Sequence, residues 1–131
     1  MYLVKTKMRS SRIHGIGVFA DQFIPEGTVV WEFHDGIDHV ISPETLMTQS
    51  EVVRNEVERL FYLDKDLGVW VVPVGQGCFV NHSDNPNLTH DDGVHAPSVA
   101  ARDIQLGEEL TENYRRYDVA SEEGVSEQNT G

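Results

Sequence analysis

The sequence predicts a mainly β domain, built of many short strands around one main helix. Three observations carry this. Short extended runs rich in Val and aromatic residues recur along the chain, each bounded by Gly, Pro or Asx turns. Helical periodicity is sustained over one segment only. The 131 residues are 39% hydrophobic, enough for a single core without a membrane span.

The elements follow in order. Residues 3–9 and 15–20 read as two strands around a turn at "SRIHG". "PEGTVVWEF" is a Pro/Gly turn followed by a strand. Ser42 before Pro43 is a helix start, an N-cap with Pro in the first turn. Leu46, Val53, Val57, Leu60 and Phe61 then fall on one helical face, predicting one helix over 43–62. "GVWVVPV" is a strand, and its Pro73 predicts an edge or a strand end. "SVAARDI" is a strand, "QLGEE" a turn and "LTENY" a last short strand. The tail from Val119 lacks apolar periodicity and is expected to lack order, which leaves 1–118 as the folded domain.

Charge narrows the partners. The net charge is −12, unevenly spread. Residues 1–12 carry Lys5, Lys7, Arg9 and Arg12 without an acid, and 118–131 carry four acids without a base. The body, 13–117, holds 18 acids against 6 bases. Such a body repels a phosphate backbone and attracts basic proteins, so direct nucleic-acid binding is not expected. Solubility alone would also account for the acidity. The N-terminus has no apolar stretch of signal-peptide length, predicting a soluble intracellular protein. Cys78 is the single cysteine, so neither an internal disulfide nor a cysteine zinc site is expected.

Three stretches carry chemistry. "GIGVFA" (15–20) fits the written dinucleotide fingerprint, but no hydrophobic strand precedes it and Pro25 and Gly27 forbid a long helix after it. The remaining task for Gly15 and Gly17 is a tight turn, either a plain hairpin or one that brings main-chain groups close to a ligand. "GCFVNHSDNPNLTH" (77–90) is a polar loop after an apolar strand, the kind of loop that lines a site. Its two N-x-S/T patterns read as glycosylation acceptors only in a secreted chain. His82, His90, Asp91, Asp92 and His95 lie close in sequence, but their spacing matches no compact zinc pattern, and no metal is expected. "ARDIQLGEELTENYRRYD" reads strand, turn, strand, then an aromatic-basic run.

Taken together, in this order, these stretches resemble the SET-domain family of protein-lysine N-methyltransferases, over about residues 3–118. "HGIGVFA" is similar to that family's G-x-G motif. "FVNHSDNPN" is similar to its R-F-I-N-H-S-x-x-P-N motif, and "GEELTENY" to its G-E-E-L-T-x-D-Y motif. "FYLDKD" before "VWVVPV" resembles the segment that often reads Y-L-F-D-L-D. The last two motifs are specific as a pair, while the short G-x-G is weak alone.

The resemblance implies a β-clip-like fold of small curled sheets, with a C-terminal pseudoknot that brings the asparagine and tyrosine motifs together. It implies S-adenosylmethionine on one face and the target lysine entering from the other. The main chain at Gly15, Ile16 and Gly17 would contact the cofactor's methionine part. Asn81 would bond its amino or carboxylate group, and the His82 backbone its adenine edge. Tyr114 would be the catalytic tyrosine and Tyr117 an aromatic beside the cofactor. Phe61, Tyr62 and Glu112 are the candidates for the lysine channel. Glu112 stands where many relatives carry an aromatic that helps set how many methyl groups are added, and Asn113 replaces a more usual Asp. No metal is implied. No cysteine-rich segment follows the domain, so the channel would be completed by the body, by residues 115–131 or by a second copy, and a homodimer is expected on that ground. The alternative reading is a non-catalytic module of the same fold that grips a basic peptide.

Overall fold

The computed structural model describes residues 1–64, 66–75, 79–90 and 96–113. Tyr114, Tyr117, Cys78, Asp91, Asp92, His95 and the tail lie outside these residues.

β1 (Thr6–Ser10) and β2 (Ile16–Ala20) form an antiparallel hairpin, with Arg9 opposite Gly17 and Lys7 opposite Phe19. β3 (Val29–Trp31), β9 (Ser98–Ala100) and β8 (Leu88–His90) make a three-stranded antiparallel sheet, with β9 in the middle. β4 (His39–Ile41), β6 (Val69–Val72) and β5 (Tyr62–Asp64) make a second one, with β6 in the middle. The last pair is parallel: β7 (Asn81–His82) lies beside β10 (Thr111–Glu112). The mainly β fold of small sheets is as predicted.

The single helix is not. The segment forms α1 (Pro43–Met47) and α2 (Glu51–Leu60), separated at Thr48–Ser50. The physical reason lies in a second N-cap. Ser42 caps α1 by accepting from the Thr45 N–H at 3.1 Å, and Ser50 caps α2 by accepting from the Val53 N–H at 3.3 Å. A cap residue needs extended backbone, so the helix stops and restarts there. Leu46 and Val57 are buried as the periodicity requires, but Val53 remains exposed. Pro73 marks a strand end, not an edge, because β6 stops at Val72 and lies between two neighbours. β4, β5, β7 and β8 were not foreseen, and Tyr62, expected at the helix end, starts β5.

Two cores hold the chain. Val18, Ala20, Ile24, Val30, Val80, Leu88, Ala100, Ile104 and Leu110 form the larger one. Ile24 and Ile104, both fully buried, exchange a pair of main-chain hydrogen bonds at 2.9 and 2.8 Å, which closes its base. Leu46, Val57 and Trp70, with Ile41, Phe61 and Leu63 packed against them, form the smaller one under the helices. A bulge in β3 sets two residues of that strand against Ser98 of β9. Consecutive Val30 and Trp31 are thereby both buried, which regular alternation forbids.

Asp38 ties the ends of three strands. Its buried carboxylate accepts from the His34 and Val74 N–H groups at 2.9 Å each and from the N-terminal ammonium of Met1 at 2.9 Å. Burial pushes the carboxyl up, but these three donors outweigh it and hold the group below the usual carboxylate range. A carboxyl with a lowered folded value stabilises fully above its unfolded value, and the contribution is lost as acid takes the pH down through the folded value. Asp38→Ala is therefore expected to cost roughly 3 kcal/mol at neutral pH, read by urea unfolding. The difference from the parent should shrink as the pH is lowered below about 4.

Candidate active site

The hairpin turn between β1 and β2 is built by Ser11. Its N–H donates to the Gly15 carbonyl at 2.8 Å, and its hydroxyl accepts from the Ile13 and His14 N–H groups at 2.9 and 3.3 Å. Gly15 closes the turn at φ +47°, a conformation that favours glycine. The same Ser11 hydroxyl lies 2.7 and 2.8 Å from the two carboxylate oxygens of Glu109. The G-x-G turn is thereby joined to the segment that leads into β10.

Glu109 also accepts from Asn81 Nδ2 at 2.8 Å. That nitrogen donates in addition to the main-chain carbonyls of His14 at 3.0 Å and Ile16 at 3.4 Å. All three partners are acceptors, so the amide nitrogen must face them and Oδ1 must face away. Gly17 makes room for this pair. A Cβ there would stand 2.3 Å from Glu109 Oε2 and 3.1 Å from Asn81 Nδ2. Its requirement for glycine comes from the close approach of side chains, since Gly17 itself is not in the left-handed region.

Asn87 holds the β10 side. Its Oδ1 accepts from the Thr111 N–H at 2.9 Å, and its Nδ2 donates to the Glu109 carbonyl at 2.8 Å. One side-chain amide thus bonds β10 as a neighbouring peptide group would. Asn81 and Asn87 are both buried with their amide nitrogens committed, which disposes of the glycosylation reading on structural grounds.

Register then separates two faces. Asn81 pairs with Thr111 and His82 with Glu112. Side chains alternate along a strand, so Asn81, Thr111 and Glu109 share one face, and Glu112 points to the other. There the Ser98 hydroxyl donates to Glu112 Oε1 at 2.5 Å. The His82 ring nitrogen lies 3.0 Å from Asp84 Oδ1, and its main chain belongs to the parallel pair.

The structure thus brings together Gly15, Ile16, Gly17, Asn81, His82 and Glu112 around the β7/β10 ribbon. Phe61 ends α2 and packs on the smaller core, and Tyr62 pairs with Val71 in the β4-β6-β5 sheet. Among the described residues no group of three or more His, Cys, Asp and Glu could hold a metal. No helix among them is long and apolar enough to cross a membrane. Ser11, Asn87 and Glu109 were missed from the sequence. The only signal was their place inside or beside the quoted motifs.

The set of groups around Asn81 suits the methionine end of S-adenosylmethionine. Asn81 Oδ1 and the main-chain carbonyls of the turn are all acceptors, as an ammonium requires.

The family model described as SET domain matches residues 15–115. A histone-lysine N-methyltransferase of Mycosarcoma maydis, H3 lysine-36 specific, is 34% identical over 109 residues, covering 76% of this chain and 11% of the relative. A Candida albicans protein of the same description is 29% identical over 126 residues, covering 90% of this chain and 15% of its own. The chain therefore spans a small part of the length of these curated relatives. Among solved structures, a Plasmodium falciparum chain assigned as a histone methyltransferase superposes with a TM-score of 0.59 at 24% identity, covering 85% of this chain and 93% of that one. Chaetomium thermophilum Polycomb Repressive Complex 2 bound to S-adenosylmethionine superposes with a TM-score of 0.66 at 24% identity, covering 96% of this chain and 17% of that one. These structural likenesses establish the fold. The match across residues 15–115, together with the turn, asparagine ribbon and sheet order described above, makes this chain a member of the SET-domain family.

Proposed function

We propose that the protein transfers methyl groups from S-adenosylmethionine to the side-chain amine of lysine in a basic protein, with a histone as the first candidate substrate. The observation that carries this reading is the opposed facing of Asn81 and Glu112 on one two-stranded ribbon. Two ligands can meet across such a ribbon without sharing a face.

Asn81 Oδ1 would accept from the cofactor's ammonium, because Glu109, His14 and Ile16 already take its nitrogen. The main chain from Gly15 to Gly17 would line the same end, and the His82 backbone would hold the adenine edge. Tyr114 follows Glu112 by two residues and is the proposed catalytic tyrosine, with Tyr117 beside the cofactor. S-adenosylmethionine supplies a methyl group already activated for displacement.

The chain's own task is to bring in the amine, strip its proton and align it. Free lysine has a pKa of about 10.4, and an apolar channel beside a positive charge lowers it. Its proton passes to water, and the freed lone pair then forms the N–C bond as the S–C bond breaks. The Tyr114 hydroxyl orients the amine for this in-line approach, and most of the acceleration comes from that alignment. The acidic body favours a basic protein over a nucleic acid as the partner. The relatives described as histone H3 methyltransferases support the same class of substrate.

Calorimetric titration with S-adenosylmethionine, with NAD as control, tests the cofactor. Binding of the former alone is expected. Asn81→Ala and Gly17→Ala should each weaken it by about 10- to 100-fold, the effect of losing one hydrogen bond to a charged group. Absence of binding in the parent protein would overturn the reading in favour of a non-catalytic module.

Incubation with histone H3 and isotopically labelled cofactor tests the transfer. Tyr114→Phe should lower the turnover by about 100-fold or more while leaving cofactor affinity in place. An unchanged turnover would remove the catalytic role of Tyr114. Affinity for a lysine-rich peptide should also fall steadily as salt is raised from about 0.05 to 0.5 M. A flat response would remove electrostatics from substrate choice.

A further inference from the structure

We propose that the acidic segment 118–131 docks on a row of cations along β1 of the same molecule. This docking is independent of the methyl-transfer reading.

Strand alternation builds the row. Lys7 and Arg9 share one face of β1, and Lys5 continues it one residue before the strand, its carbonyl accepting from the Asp21 N–H at 2.9 Å. Neighbours in such a row stand about 7 Å apart. Arg12 follows in the turn, and all four residues are exposed. Asp21, 3.5 Å from Lys7, is their only carboxylate partner among the described residues. No strand among those residues pairs with the outer edge of β1. In a chain of net charge −12, four cations without a neighbouring acid in residues 1–12 make a local anion-attracting strip.

Two observations name the occupant. The first is where the chain leads. Arg9 stands opposite Gly17, and a Cβ on Gly17 would point at Glu109 and Asn81. Cross-strand partners share a face, so the row lies on the side of the hairpin that meets the β7/β10 ribbon. Glu109 pairs antiparallel with Phe19, and Thr111 pairs with Asn81, whose amide reaches the His14 carbonyl in the turn. β10 therefore runs towards the turn end of the row. The second observation is charge. Residues 118–131 hold Asp118, Glu122, Glu123 and Glu127 without a base, the counterpart of residues 1–12. Asp118 lies five residues beyond Asn113 and Glu127 fourteen, a reach of about 17 and 48 Å in extended chain. The row from Lys5 to Arg9 is about 14 Å long, so the acids can lie along all of it.

Exposed ion pairs are individually weak, and four of them give no more than roughly millimolar affinity between separate molecules. A short connection within one molecule supplies a local concentration of about the same size. The segment therefore docks at low salt and is released as salt screens the pairs. While docked it cancels the cationic strip and leaves the acidic body to face a basic partner.

The test uses the full chain and two variants, each checked for its thermal unfolding. One carries Asp118→Asn, Glu122→Gln, Glu123→Gln and Glu127→Gln, and the other Lys5→Gln and Arg9→Gln. Amide NMR signals of residues 5–12 and 118–131 are followed. Neutralising the segment should shift the signals of the row, and neutralising the row should shift those of the segment. Raising salt from about 0.05 to 0.5 M should bring the row signals of the parent to those of the segment variant. Both effects should survive dilution by about 10-fold, as an intramolecular contact requires. Row signals that ignore the charges of the segment would overturn the proposal, leaving the cations only the role of keeping an open edge unpaired. Shifts that fade on dilution would overturn it in favour of a second copy as the occupant. A short DNA duplex tests the other source of anions. A duplex that moves the row signals only after the segment is neutralised supports the docking. One that moves them equally in the parent would overturn it in favour of a phosphate backbone.

Discussion

Everything at the site depends on the parallel pairing of β7 with β10. The pair has only two residues on each strand, Asn81–His82 and Thr111–Glu112, too few to be stable by ladder bonds alone. Side chains supply the rest. Asn87 bonds the backbone at Thr111 of β10 and at Glu109 just before it, and the Glu109 side chain reaches Asn81 and Ser11. A buried polar network of this kind is favourable only when its members are satisfied together. Gly17 is part of that satisfaction, because any larger residue would stand where the Glu109 carboxylate lies.

The network sorts the chemistry by face. On one side the Asn81 amide is held with its oxygen outward by three acceptors around its nitrogen. On the other, Glu112 leans against Ser98 at the rim of the larger core. Leu110 lies two residues before Glu112, shares its face and is fully buried in that core. The ribbon is therefore fixed from both sides, by polar bonds on one and by apolar packing on the other.

Much of this was legible in the residues. Turn chemistry and short apolar runs were enough for the mainly β class, and the motif order was enough for the family. The Gly15–Gly17 turn, Asn81, His82 and Glu112 do gather at one ribbon. What was not legible has specific causes. Ser50 is a helix cap as clear as Ser42, but the apolar stripe running through it masked the break. β4 is three residues long and lies after a Gly turn, below what periodicity resolves. Glu109 reads as one more acid in an acidic chain, and its carboxylate's two partners, Ser11 and Asn81, are far away in sequence. Asn87 reads as a turn former, whereas its amide replaces a peptide group. Glycine at position 17 was expected for a tight turn, plain or close to a ligand, whereas the space beside it is filled by Glu109 and Asn81.

The pairing of β7 and β10 has a further consequence for how the molecule assembles. Asn81 and Glu109 are separated by 28 positions, and Ser11 lies 98 positions from Glu109. Contacts of such long range carry the full entropy of closing a loop before they return any stabilisation. The β1/β2 hairpin and the neighbouring pairs β5/β6 and β8/β9 close shorter loops than the ribbon or the β3/β9 pair. A chain that has formed only these local pairs has strands but no binding site. Ligands of the finished site bind only molecules that have completed this closure, and they draw the folding equilibrium towards it.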